Sequence, residues 1–251
     1  MNLLEHLTAA EARACLARAG LPLPERQAPV RPFLGGPCGP IRLIAEYKRR
    51  SPSHGPFPDQ SLGAVLRRYE TAGAAAISVL VAAEGFAGSL DDLQEARALT
   101  SLPLLYKGFV SQLGQLDEAY AFGADAVLLI TAVLGADLAM FVRQAEARGL
   151  GALVEVHSER ELHQAQDAGA RLIGVNNRDL ASLACDVDVF LDLAPRVAPG
   201  VTLVAESGYR AMADIRAAER AGAHAVLVGE ALLARDGRLL DAWARAQTHV
   251  G

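Results

Sequence analysis

The chain has 251 residues, 51% of them hydrophobic and only 5% aromatic, with 23 glycines; that length suits one large α/β barrel or two smaller domains. Against 29 aspartates and glutamates stand 24 lysines and arginines, giving −5 with no long basic run, which argues against nucleic acid or an anionic membrane as the main partner. Cys15, Cys38 and Cys185 show no paired spacing, no apolar run approaches the ~20 residues of a membrane span, and the start lacks a basic-then-apolar leader, so a cytoplasmic protein is expected.

In chain order, Thr8-Ala9-Ala10-Glu11 has capping-box spacing and predicts a helix from there to about Gly20. Pro22, Pro24, Pro29, Pro32, Pro37 and Pro40 then predict an extended connector, because prolines this dense exclude a helix. These features set residues 1–40 apart from residues 41–251, where strand and helix patterns alternate without interruption. Ile41–Ala45 reads as the first buried strand, and Leu62, Val65, Leu66 and Tyr69 mark the face of the helix after it. Ala75–Leu80 is the second strand, followed by a helix over 89–99 and a third strand, Leu102–Tyr106. Leu113, Leu116 and Tyr120 mark a helix before Ala126–Ile130, and a helix near 136–148 precedes Ala152–Val154. Ser158-Glu159-Arg160-Glu161 is a second capping box. Leu172–Val175, Val201–Val204 and Ala225–Val228 complete the set of strands.

Strands that are apolar throughout, not alternating, are buried on both faces and therefore parallel. Gly73-Ala74, Gly123-Ala124, Gly169-Ala170 and Gly222-Ala223 each close a helix just before an even-numbered strand. The repeat predicts a single closed (β/α)8 barrel, a TIM barrel with an additional N-terminal helix, in preference to two domains.

In such a barrel the carboxyl ends of the strands build the site. The first strand leads to Glu46, Lys48 and Ser51, with Glu46 and Lys48 on one face of an extended segment. On that stretch alone a satisfied structural ion pair would explain both. The pattern recurs, however, with Lys107 after the third strand, Glu155 after the fifth, Asn176 and Arg178 after the sixth and Glu206 after the seventh. Lysines and glutamates converging at one barrel end are acid–base equipment. Ser207-Gly208 and Gly229-Glu230, after strands seven and eight, predict a phosphate site made by backbone N–H groups. Phe86, Phe109, Leu180 and Leu183 read equally as loop packing or as walls for an aromatic ring. No metal is expected, since His54, His157 and His163 lack ligand spacing, and Cys185 reads as a packed thiol.

Several stretches resemble the motifs of the indole-3-glycerol phosphate synthase family: Ile44-Ala45-Glu46-Tyr47-Lys48-Arg49-Arg50-Ser51-Pro52-Ser53, Phe86-Ala87-Gly88-Ser89, Leu153-Val154-Glu155-Val156-His157, Gly174-Val175-Asn176-Asn177-Arg178-Asp179-Leu180 and Val204-Ala205-Glu206-Ser207-Gly208. The resemblance runs the length of the chain, in order. It implies cofactor-free conversion of 1-(2-carboxyphenylamino)-1-deoxyribulose 5-phosphate to indole-3-glycerol phosphate, CO2 and water in tryptophan synthesis. It further implies Lys107 as general acid on the ribulose carbonyl, Glu155 as the proton handler of dehydration with Glu46 as its helper, and Lys48 as partner of the anthranilate carboxylate. Asn176 and Glu206 resemble the hydroxyl-binding residues. Ser51, Arg178, Ser207, Gly208, Gly229 and Glu230 fall at the family's substrate and phosphate contacts, and Pro52, Phe86, Phe109, Leu180 and Leu183 at its ring contacts. A monomer or weak homo-oligomer is expected.

The sequence also departs from the family pattern. Arg-Lys-Asp-Phe is usual around the third strand, where this chain has Tyr106-Lys107-Gly108-Phe109, and Val81-Ala82 replaces a threonine and an acid. Tyr47 replaces a smaller apolar residue and His54 a lysine. On this reading an aspartate restored at position 108 leaves activity unchanged or raises it. The alternatives are a paralogue acting on another phosphosugar, as an isomerase or epimerase, and a non-catalytic binding subunit.

Overall fold

The computed structural model describes residues 2–37, 39–58, 60–180, 182–234 and 237–247; Cys38 lies outside them. Eight parallel strands close on themselves: β1 (Arg42–Tyr47), β2 (Ala76–Leu80), β3 (Leu104–Lys107), β4 (Ala126–Ile130), β5 (Gly151–Val156), β6 (Leu172–Asn176), β7 (Thr202–Glu206) and β8 (Ala225–Val228). Each pairs with its sequence neighbours, and β1 joins β8 through Arg42 opposite Ala225 to Ala45 opposite Val228. Inside the ring Ile44, Leu105, Leu128, Leu153, Val204 and Leu227 fill the barrel, while alternate residues such as Leu43, Leu104, Tyr106 and Val154 pack outward against the helices. Burial on both faces is what the unbroken apolar strands required. The four glycine–alanine pairs sit at helix ends as expected, with φ of +80° at Gly73, +97° at Gly123, +81° at Gly169 and +103° at Gly222.

The N-terminal helix α1 spans Leu3–Arg18, so it starts upstream of the expected Thr8. Asn2 and Glu5 have the same box spacing and win: Asn2 Oδ1 accepts from Glu5 N at 2.9 Å, and Asn2 N donates to Glu5 Oε2 at 3.1 Å. The longer helix brings Leu3, Leu4 and Leu7 over the barrel mouth. The helix expected near 136–148 is present as Leu138–Ala147, preceded by a short helix at Thr131–Leu134 and a 3-10 turn at Gly135–Asp137 in which Gly135 takes φ +49°. At the second capping box Ser158 accepts from Glu161 N at 3.3 Å, but Glu161 reaches back one residue further, to His157 N at 2.7 Å.

The connector after α1 is non-helical and is pinned beneath the barrel by Asp125, just before β4. This fully buried carboxylate accepts from Arg26 Nη2 (2.8 Å), Arg31 N (2.9 Å), Arg97 Nη1 (3.0 Å) and Leu104 N (2.9 Å). Removing one partner of a buried charge network strands the others, at a cost of about 3–5 kcal/mol. Asp125→Ala should lower the free energy of urea unfolding by that amount; a loss under about 1 kcal/mol would mean that the connector arginines simply return to water.

Candidate active site

The candidate site side chains come from strand ends, where the ladder holds the backbone rigidly. Glu46, Lys107, Glu155, Asn176 and Glu206 lie within strands, one or two residues further along than the apolar runs suggested. Lys107 Nζ donates to Glu206 Oε2 at 2.8 Å and stands 3.6 Å from Glu155 Oε2. Lys48 Nζ is 2.8 Å from Glu46 Oε1 and 3.9 Å from Glu230 Oε1, so the two residues expected on one face of the first strand's extension do meet. Two glycines make room for the acids. A Cβ at Gly174 would overlap Glu206 Oε1, and one at Gly229 would overlap Glu46 Oε1.

These groups surround a cavity of about 610 Å³ at the carboxyl ends of the strands. Every site residue expected from sequence lines it except Glu206, which lies behind Lys107 at 1% exposure. Ser53 Oγ donates to Glu230 Oε1 at 2.9 Å, Ser51 Oγ does so at 3.3 Å, and Arg178 Nη2 stands 3.6 Å from Glu230 Oε2. Arg178 also donates to Leu183 O at 3.0 Å, and its own N–H to Asn176 Oδ1 at 3.0 Å. His157 ties the fifth loop to the sixth through Asn176 O at 2.7 Å. Ser207 and Gly208 turn with φ of +63° and +87°, the former a strained value for serine, held by Asn177 Nδ2 donating to Ser207 O at 3.0 Å. Phe86 and Phe109 lie 6.0 Å apart at 37°, and Pro52, Leu180 and Leu183 are also on the lining.

The sequence reading missed the roof. Leu3, Leu4 and Leu7 of α1 complete the apolar wall, a helical stripe hidden because the helix was started too late. Tyr209, Arg210 and Arg238 were also missed. Cys185 corrects another expectation: it is exposed, not packed, in a segment that bridges back to Arg178. A further signal was available in the composition. The chain has two lysines, Lys48 and Lys107, and all its other long cationic side chains are arginines; both lysines line the cavity. Among the described residues no three His, Cys, Asp or Glu side chains converge as a metal site, and no helix is long and apolar enough to cross a membrane.

Burial alone would pull the Lys107 ammonium down, but Glu206, Glu155 and Glu46 outweigh it and hold it above the ordinary lysine value. Glu206 is pushed up to about 7 by burial and by the charges of Glu155 and Glu46, against the pull of Lys107. Burial would raise Glu230, yet Lys48, Ser53, Arg178 and Ser51 together bring it below the usual carboxylate value. The result is an ammonium that stays charged, an anion-stabilising corner and an apolar slot in one cavity.

A family model described as indole-3-glycerol phosphate synthase matches residues 10–240. The chain belongs to the indole-3-glycerol phosphate synthase family. Among its relatives, the indole-3-glycerol phosphate synthase of Carboxydothermus hydrogenoformans is 47% identical over 216 residues, 85% of this chain and 81% of that protein. Indole-3-glycerol phosphate synthase 2 of Streptomyces coelicolor is 49% identical over 208 residues, 82% of this chain and 81% of that one. Among solved structures, an N-acetylmannosamine-6-phosphate 2-epimerase from Clostridium perfringens superposes with TM-score 0.60 at 16% identity, over 82% of this chain and 93% of that chain; it shares the fold.

For a synthase of this family, the geometry yields a pH profile. Glu206 accepts best from Lys107 when ionised, and its folded-state value near 7 places that ionisation at neutrality. The acid limb of kcat/KM should therefore fall with an apparent pKa of about 7, belonging to the coupled cluster. Glu206→Gln should lower the plateau and remove this limb. An unchanged limb in the variant would assign it to another group, such as the substrate phosphate.

Proposed function

We propose that the chain is an indole-3-glycerol phosphate synthase, a carbon–carbon lyase that closes the indole ring of 1-(2-carboxyphenylamino)-1-deoxyribulose 5-phosphate with loss of CO2 and water. The observation that carries this reading is Lys107: an ammonium held charged by buried carboxylates, opening onto a cavity that also has an aromatic slot. In the first step Lys107 donates a proton to the ribulose carbonyl oxygen while the ring carbon bearing the carboxylate attacks the carbonyl carbon. The C–C bond to the carboxylate then breaks, CO2 leaves, and its electron pair restores the aromatic ring. Lys48 balances the carboxylate until that departure. The former carbonyl oxygen leaves as water, with Glu155, helped by Glu46, passing the protons. Asn176, on the cavity lining, holds a substrate hydroxyl, and Glu206, buried behind Lys107, fixes the orientation of its ammonium.

The anion-binding side fits the phosphate. The backbone turns at Ser207-Gly208 and Gly229-Glu230, with Ser51 and Arg178, would take the phosphate, and Pro52, Phe86, Phe109, Leu180 and Leu183 on the same cavity lining would pack the anthranilate ring. A phosphosugar isomerase or epimerase would need no such slot. The enzyme is proposed to act in the cytoplasm as a monomer or weak homo-oligomer, without a cofactor.

Fluorescence of the indole product, followed on adding the anilino-ribulose phosphate, tests this directly. Turnover is expected from the parent chain. Lys107→Met should abolish it while leaving substrate affinity within about tenfold, since phosphate and ring contacts remain. No turnover by the parent would overturn the assignment; full turnover by Lys107→Met would remove the general acid.

A further inference from the structure

Tyr106-Lys107-Gly108-Phe109, with Val81 beside it, is a packed unit with its own geometry. A side chain at position 108 would project outward, on the same side of the strand line as Tyr106. Tyr106 fills that space. A Cβ at Gly108 would stand 2.9 Å from Tyr106 Cε1 and 3.1 Å from Val81 Cγ2. The ring has little room to swing away, because Tyr106 is 1% exposed and packed within the core between the barrel and its helices. The expectation that an aspartate at 108 would be harmless is thereby corrected: even its Cβ does not fit.

The same unit grips the chain on both sides of Lys107. Val81 N donates to Lys107 O at 3.0 Å. Gln115 Nε2 donates to Phe109 O at 3.2 Å, and Gln115 Oε1 accepts from Ser111 N at 2.8 Å and Gln112 N at 3.0 Å. Gln115 is itself buried at 1% exposure, so these bonds are shielded from water. Glycine at 108 would ordinarily loosen the segment. Here it is the vacancy into which the ring locks.

We propose that Tyr106, Val81 and Gly108 form one interlocked packing set that, with Gln115, positions Lys107 by contact, in place of charged neighbours along the strand. These are positioning residues, acting through Lys107. The proposal rests on the synthase reading for its kinetic consequences and on the packing alone for its chemical ones. It predicts that position 108 and position 106 are coupled: a larger residue at 108 is tolerated only when the ring at 106 is removed.

The test uses Gly108→Ala, Tyr106→Leu and the double variant. Gly108→Ala should lower kcat about tenfold or more with a much smaller change in KM, because a displaced ammonium weakens the chemical step while the phosphate contacts and the ring contacts other than Phe109 lie away from position 108. Tyr106→Leu should show a smaller loss of the same kind, and the double variant should exceed Gly108→Ala in kcat, a non-additivity expected of residues in contact. A second readout needs no turnover. Reductive methylation with formaldehyde and cyanoborohydride, mapped by peptide mass, reads Lys107 against Lys48 as internal reference. Lys107 should be protected in the parent, react faster in each single variant, and regain protection in the double. Should Gly108→Ala fail to fold, Tyr106→Leu and the double variant still carry both readouts. Additive effects, or single variants with parental kcat and parental Lys107 protection, would overturn the proposal. A parent chain that shows no synthase turnover but keeps the predicted protection pattern would overturn the synthase reading and leave this one standing.

Discussion

Lys107 donates to Glu206 across 2.8 Å with Glu155 a further 3.6 Å from the same nitrogen, and the fate of that ammonium governs what the cavity can do. A lysine taken out of water loses charge unless carboxylates surround it. Carboxylates so close to one another repel, so each needs the cation as much as the cation needs them. Glu206 records the tension: it is held near 7 even with the ammonium beside it. Such a cluster is stable only when several strands deliver its members to one point, and the closed barrel does so from β1, β3, β5 and β7. The odd-numbered strands supply the charges, and the glycines of β6 and of the turn after β8 supply the room.

The N-terminal helix matters for the same reason. Its leucines roof the cavity, and a site screened from water makes each charge–charge interaction stronger than it would be in solvent. Electrostatic links hold it there. Glu11 accepts from Ala83 N in the loop after β2 at 3.3 Å, His6 pairs with Glu84 in that loop, and Arg18 donates twice to Glu118 on the helix after β3. The connector then runs below the barrel to Asp125, so one continuous segment clamps both ends of the fold.

Much of this architecture was legible in the sequence because strands buried on both faces leave an unmistakable pattern, and because glycine is required where a helix turns back with positive φ. Ala126–Ile130 and Ala225–Val228 match the apolar runs residue for residue. Where strands end on charged residues, apolarity stopped too early, as at Glu46, Glu155 and Glu206. The residues that lengthen those strands are the ones that build the charge cluster around Lys107. The helix start differs from the expected one because two separate stretches, Asn2–Glu5 and Thr8–Glu11, satisfy one capping rule, and the cap forms at the first, where Leu3, Leu4 and Leu7 pack over the barrel. Tyr106 and Gly108 were visible as departures, but their meaning lies in an approach of ring to backbone that no spacing in the sequence encodes.

Because Lys48 and Lys107 are the two lysines of the chain, the central claim can be measured at the atom concerned. Protein labelled with 15N at the lysine side chains gives two ammonium signals, assigned by the loss of one in Lys107→Met. The Lys107 signal should remain that of an ammonium as the pH is raised past the ordinary lysine value of 10.5. A Lys107 signal that titrates at or below that value would contradict it, since the three glutamates would then not be holding the proton on which the proposed chemistry depends.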